Sequence, residues 1–124
     1  MPSKWPVLVP LGNLAVATQG TTVLLSANCG TMAGGISTPS VPAPMPGTPF
    51  RQIILTATGN DAVLMPRGST FTGNPANVIA YLPKGVPVAI PQGQPFENGI
   101  LPENFCIDIP AAAASTVYGC GVLS

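Results

Sequence analysis

Residues Phe50–Met65 read Phe-Arg-Gln-Ile-Ile-Leu-Thr-Ala-Thr-Gly-Asn-Asp-Ala-Val-Leu-Met. In an extended strand, alternate side chains share a face, so Ile53, Leu55 and Ala57 line one side and Ile54 and Thr56 the other. Thr58-Gly59-Asn60-Asp61 then gathers residues suited to a short hairpin loop. Ala62–Met65 resumes the apolar run, which stops at Pro66, where the backbone loses a donor. The stretch predicts a β-hairpin, and the rest of the chain repeats its texture of short apolar strands and Gly/Pro/Asn turns.

Upstream, Leu14–Gln19 alternates Leu14, Val16 and Thr18 with Ala15, Ala17 and Gln19 and reads as a strand. Thr21–Ala27, rich in β-branched residues, reads as a second. Downstream, Asn77–Leu82 and Val86–Ile90 predict a second hairpin around Pro83-Lys84-Gly85, a type I turn with Pro at its second position. Phe105–Ile109 predicts a strand with Phe105, Ile107 and Ile109 inward and Cys106 and Asp108 outward. Thr116–Leu123 predicts the last strand, where Gly119 and Gly121 mark a bend or the close approach of another chain. Ala111–Ala114 is too short to nucleate a helix.

These elements amount to an all-β domain, an antiparallel sandwich or barrel of about seven or eight short strands. At 124 residues the chain is one domain, able to bury roughly two-thirds of its unfolded surface. Of sixteen prolines and fourteen glycines, five and four fall in Gly30–Pro49, a long irregular loop in which Pro42, Pro44 and Pro46 hold an extended form. Ile36, Val41 and Met45 punctuate that loop and mark it as an interaction segment.

Residues 1–13 read as an extended N-terminal arm, stiffened by Pro2, Pro6 and Pro10, ahead of a domain spanning 14–124. Lys4, the apolar run that follows it and Ala15-Val16-Ala17 imitate a secretory signal. Pro6, Pro10, Gly12 and Asn13, however, interrupt the helix that such a segment forms. Trp5, with Val7, Leu8 and Val9, is expected to contact a partner; the competing reading has Trp5 capping its own core.

Charge is the outlying property. Four basic and four acidic residues make 6% of the chain, against about 25% in ordinary soluble domains. No basic stripe is available for nucleic acid, and no apolar run reaches membrane-spanning length. Histidine is absent, which removes the commonest general base and metal ligand. Asp61 reads as a turn residue, and Asp108 as a surface charge or an inter-subunit partner for Arg51 or Arg67. Glu97 and Glu103 lie in a loop with no cleft to share. Cys29, Cys106 and Cys120 lack metal-site spacing and read as buried thiols, although Cys106 and Cys120 could pair across adjacent strands in a secreted chain. No catalytic residue, cofactor or metal is expected.

A surface this neutral, on a chain that is 46% apolar, suits one covered by neighbours. In size, β texture, near absence of charge, Pro-containing N-terminus (Met1–Pro10) and wealth of Gly, Pro, Ala and Thr, the chain resembles the small capsid decoration (cement) proteins of tailed bacteriophages. The resemblance implies a non-enzymatic virion protein, assembled in the host cytoplasm as a symmetric oligomer, a trimer above all, on the major capsid protein. Its arm and loop would brace neighbouring capsomers. Two other readings remain open at this point: a different virion part (head-fibre base, tail adaptor or minor capsid subunit), and a secreted β-sandwich binding module.

Overall fold

A computed structural model of the chain describes residues 7–27, 49–71, 77–91 and 99–123. Nine strands occur in these segments: β1 (Val7–Pro10), β2 (Leu14–Val16), β3 (Val23–Leu24), β4 (Gln52–Thr58), β5 (Ala62–Pro66), β6 (Ala80–Leu82), β7 (Val88–Ile90), β8 (Phe105–Asp108) and β9 (Ser115–Leu123). They form two antiparallel sheets. The first has the order β1-β9-β4-β7, with β2 also on β9; the second has the order β3-β8-β5-β6. The all-β sandwich expected from the sequence is what the chain builds.

The pairing is nested. β5 pairs with β6, β4 with β7, β3 with β8, and β1 and β2 with β9. The chain is therefore one long hairpin folded over on itself, and each arm passes from one sheet to the other as it goes. Lateral ladders between β4 and β9 and between β5 and β8 complete the two sheets, giving the wiring of a jelly roll.

Two expected hairpins are corrected by this wiring. β4 and β5 do not pair: the Thr58–Asp61 turn is an arch that carries the chain across the core. The 83–87 connection likewise takes β6 in the second sheet to β7 in the first. Its turn differs too, since the Val86 N–H returns to the Pro83 carbonyl at 3.1 Å and Gly85, in third position, has φ +77°. Pro is first, not second, and the positive φ belongs to a type II turn.

The arches form because each strand has an apolar face to bury against the opposite sheet. In β4 the inward Ile53, Leu55 and Ala57 are all within 1% of complete burial. They meet Leu64, Leu82, Ile107 and Val117 in the main core. β5 is buried on both sides: Ala62 and Leu64 join that core, while Val63 and Met65 form a second cluster with Cys106, against which Leu24 of neighbouring β3 packs, as do Phe71 and Val78 from the β5–β6 connection. The outer face of the second sheet is thus roofed by the chain's own segments.

The first sheet begins earlier than the expected boundary at residue 14. Val7–Pro10 pairs with Cys120–Leu123, and Val9 and Leu11 are fully buried. The register then slips by one residue, from Pro10↔Cys120 to Leu14↔Val117, so residues 11–13 oppose only 118 and 119. Gly12, with φ +73°, supplies the left-handed conformation of this bulge. Residues 1–6 and most of the Gly30–Pro49 loop lie outside the described residues.

Gly121 explains one of the two glycines expected to mark a close approach, and the approaching group belongs to the same chain. A Cβ there would sit 2.5 Å from the ring of Phe50, a fully buried side chain locked in place by reciprocal bonds between the Phe50 and Ile100 backbones. Gly121→Ala should therefore cost about 1–3 kcal/mol of stability through overpacking. In a Phe50→Leu background the same substitution should cost clearly less, and urea unfolding of the four proteins in the cycle measures the coupling.

Candidate functional site

Three features of the fold bring chemistry or exposed apolar surface together. The first is a cleft of about 270 Å3 at one end of the sandwich, lined by Asn60, Asp61, Tyr81, Lys84, Pro110, Ala111 and Ala113. Asp61 accepts the backbone N–H of Lys84 and the hydroxyl of Tyr81, both at 2.8 Å. Beneath it the arch is bolted to the start of β9: Asn60 Nδ2 donates to the Ala114 carbonyl, Ser115 Oγ to the Asn60 carbonyl at 2.6 Å, and Thr58 Oγ1 to the Thr116 carbonyl. Asp61 is thus the turn residue expected, and it also clamps the next turn.

These bonds set the ionisation of the cleft. The Lys84 N–H first, then the Tyr81 hydroxyl, hold Asp61 below the usual carboxylate range, while the bond to Asp61 pushes the Tyr81 phenol upward. Both groups are displaced away from neutrality, the opposite of the tuning that proton transfer at neutral pH requires. Among the described residues no cluster of three or more His, Cys, Asp or Glu side chains could hold a metal ion.

The second feature is Asp108, and here the structure corrects the sequence reading. Its side chain does point away from the main core, but that side is covered and the residue is completely buried. The carboxylate is neither a surface charge nor a partner for an arginine. It accepts the N–H groups of Gly20 (3.0 Å), Phe71 (2.7 Å) and Ile109 (2.8 Å), tying the β2–β3 turn and the segment after β5 to the end of β8. Cys106, also expected outward, is equally buried in the second cluster. Cys106 and Cys120 are free and stand on opposite sheets, and burial raises both thiols above the ordinary range.

The third feature is the outer face of the first sheet. Alternation places Gln52, Ile54, Thr56 and Thr58 of β4 outward, beside Thr116, Tyr118, Cys120 and Val122 of β9. Leu8 and Pro10 of β1, Ala15 of β2 and Ala89 of β7 extend the same face. None of these positions carries a charge. Arg51 and Arg67 flank the strands and are exposed, while Asp61 and Lys84 lie at the cleft.

Of the residues expected to contact a partner, Leu8 is 54% exposed on this face. Val9 is core and presents no surface, and Val7 is in β1. Trp5, Ile36, Val41 and Met45 lie outside the described residues. Three other exposed apolar side chains, Ile79, Tyr81 and Val86, are not among the residues expected to contact a partner. They cluster around β6 and the turn after it, in the stretch taken for a hairpin, and period-two alternation alone does not reveal which face of so short a strand stays open. No helix among the described residues is long and apolar enough to cross a membrane. No protein-family model, curated protein or solved structure matches the chain.

Two outcomes are expected. Asp108→Asn should lower stability by about 1–3 kcal/mol, because an amide N–H replaces an acceptor facing buried N–H donors. Limited proteolysis near Phe71 should accelerate in the same variant. For Asp61, a depressed carboxylate contributes stability that is present above its unfolded value near 3.8 and disappears as pH falls through the lower folded value. Tyr81→Phe should weaken that acid-side decline, as read from unfolding midpoints across pH 2–6.

Proposed function

We propose that this protein is a non-enzymatic structural component of a virion, attached to a phage capsid as a symmetric oligomer that braces neighbouring capsid subunits. The observation that carries the reading is the distribution of charge. The outward strand positions of the first sheet carry no ionic side chain, so they can be pressed against a neighbour without stripping water from ions.

Other features support the same reading. In the end cleft, Asp61 and Tyr81 are bonded to each other and Asp61 holds the Lys84 turn, and the ionisation of these two groups is shifted away from acid–base work. Jelly-roll wiring is used by viral capsid domains, and equally by lectins and cupins, so it contributes by analogy only. A weak contact repeated over a symmetric lattice becomes tight attachment through avidity. The major capsid protein is the partner this role requires, and the virion is its location.

The test is co-purification. In a density gradient of particles from a culture producing the protein, the chain should band with the capsids. It should also stay attached when salt is raised from about 0.1 M to 1 M, since apolar contact is not screened whereas ion pairs are. A chain found only in the unassembled fractions, or one that turns over a substrate at the Asp61 cleft, would overturn the proposal.

A further inference from the structure

The carboxylate in the end cleft is held in place but not used up. Asp61 Oδ1 accepts the Lys84 backbone N–H and Oδ2 accepts the Tyr81 hydroxyl, both at 2.8 Å. A carboxylate has about four acceptor sites, two on each oxygen, so each oxygen retains room for a further donor, and the two sites lie side by side. Those same bonds hold its pKa below the usual carboxylate range, so it acts as an acceptor only. Around it stand the half-exposed Tyr81 ring, the Lys84 ammonium, whose charge acts on Asp61, and the small apolar side chains of Pro110, Ala111 and Ala113.

We propose that this cleft binds a neutral sugar ring, with the Asp61 carboxylate accepting two adjacent ring hydroxyls. The lining selects that class by exclusion from both sides. Lys84 repels a guanidinium or ammonium that the carboxylate alone would suit, and Asp61 repels an anion drawn to Lys84. What fits both is an uncharged ligand with neighbouring donors for Asp61 and an acceptor for the Lys84 ammonium. Adjacent hydroxyls supply both, since each has one donor and two acceptor lone pairs. A sugar ring also carries a C–H face, which suits the Tyr81 ring and the methyl groups of Ala111 and Ala113.

Size sets the strength. The cleft, about 270 Å3, falls just below the range of roughly 300–1,000 Å3 for pockets that take drug-sized ligands, which restricts it to a single ring. One ring against side chains as exposed as Tyr81 and Lys84 binds weakly, with a Kd on the order of 1 mM. Because backbone and phenol already orient the carboxylate, binding adds little ordering cost there. The sugar is held and not cleaved. Glycoside hydrolysis uses a pair of carboxylates, and among the described residues Asp61 is the one carboxylate lining the cleft.

The test is an NMR titration of the full, isotope-labelled chain with the methyl glycosides of glucose, mannose, galactose and fucose. At least one should shift the backbone amides of Asp61, Lys84, Ala111 and Ala113 saturably in the millimolar range. Cyclohexanol, a ring of similar size with a single hydroxyl, should not. Asp61→Asn should weaken binding roughly tenfold or more, since charge-assisted bonds are lost. Asp61 also clamps a turn, so Ala111→Leu, at an exposed position, serves as the second variant: it fills the cleft and should abolish the shifts while circular dichroism stays unchanged. No saturable shift with any glycoside up to about 0.1 M, well above the expected Kd, would overturn the site. So would equal shifts with cyclohexanol, preferred binding of methylguanidinium, glycine or phosphate, or shifts that survive Ala111→Leu. The site does not rest on the assembly reading. Glycoside binding by a chain that never bands with capsids keeps the cleft and sinks the virion role, and a capsid-bound chain that ignores every glycoside does the reverse.

Discussion

The ladder between β4 and β9 is the interaction on which the remaining structure depends. It joins residues 52–58 to 116–122, so its formation closes a large part of the chain into one loop. That closure costs entropy that grows only slowly with loop length, and the return is a sheet centre with apolar side chains against the core. With β9 in place, β1 and β2 have an edge to pair with, and β7 completes the other side of β4. Gly121 sits within this ladder because the Phe50 ring occupies the space that its side chain would take. The same ladder leaves β4 and β9 with a shared outward face, whose composition decides what the protein can meet.

The strands were largely legible, and their partners were not. Alternation through Gln52–Thr58 identified the strand and the residues that share each side, because side chains alternate with a period of two; which side faces inward came only with the pairing. The Thr58–Asp61 turn was misread because Gly, Asn and Asp serve a chain reversal equally well when the next strand pairs alongside and when it crosses the core. The discriminating signal lay in Ala62–Met65. An uninterrupted apolar run implies burial on both faces, and β5, with its four successive buried residues, has this. A strand paired in a simple hairpin with one wet face would have alternated.

Asp108 shows the complementary failure. Its direction relative to the main core followed correctly from the alternation of Phe105–Ile109, but direction is not environment. The second sheet's outer side is roofed by residues distant in sequence, and local periodicity carries no trace of them. A single buried carboxylate holding three backbone donors is a large commitment for a chain with four acidic residues in all. It fixes how the segment after β5 and the β2–β3 turn lie over the sheet, which apolar contact alone would leave less specified. The open face of the first sheet was half visible: Ile54 and Thr56 were assigned to the second side of their strand, but that β9 would place Tyr118, Cys120 and Val122 beside them required the long-range pairing.

Low charge has a physical cost for a free protein, because net repulsion and hydrated ions are what keep apolar surfaces from associating. In this chain the few ions are not spread to provide that protection. Among the described residues, Asp61 holds a turn at one end with Lys84 exposed beside it, Asp108 is sealed inside, and Arg51 and Arg67 flank the strands, so the outward strand positions of the first sheet are left to Thr, Gln, Tyr and apolar residues. A monomeric role would gain from a lysine or glutamate at any outward position of β4 or β9, where a half-exposed sheet surface tolerates charge at little cost. None is present on either strand. Neutrality at those positions, where charge would be easy to place, is the property that the proposed assembly role accounts for and that a solitary, freely soluble role does not.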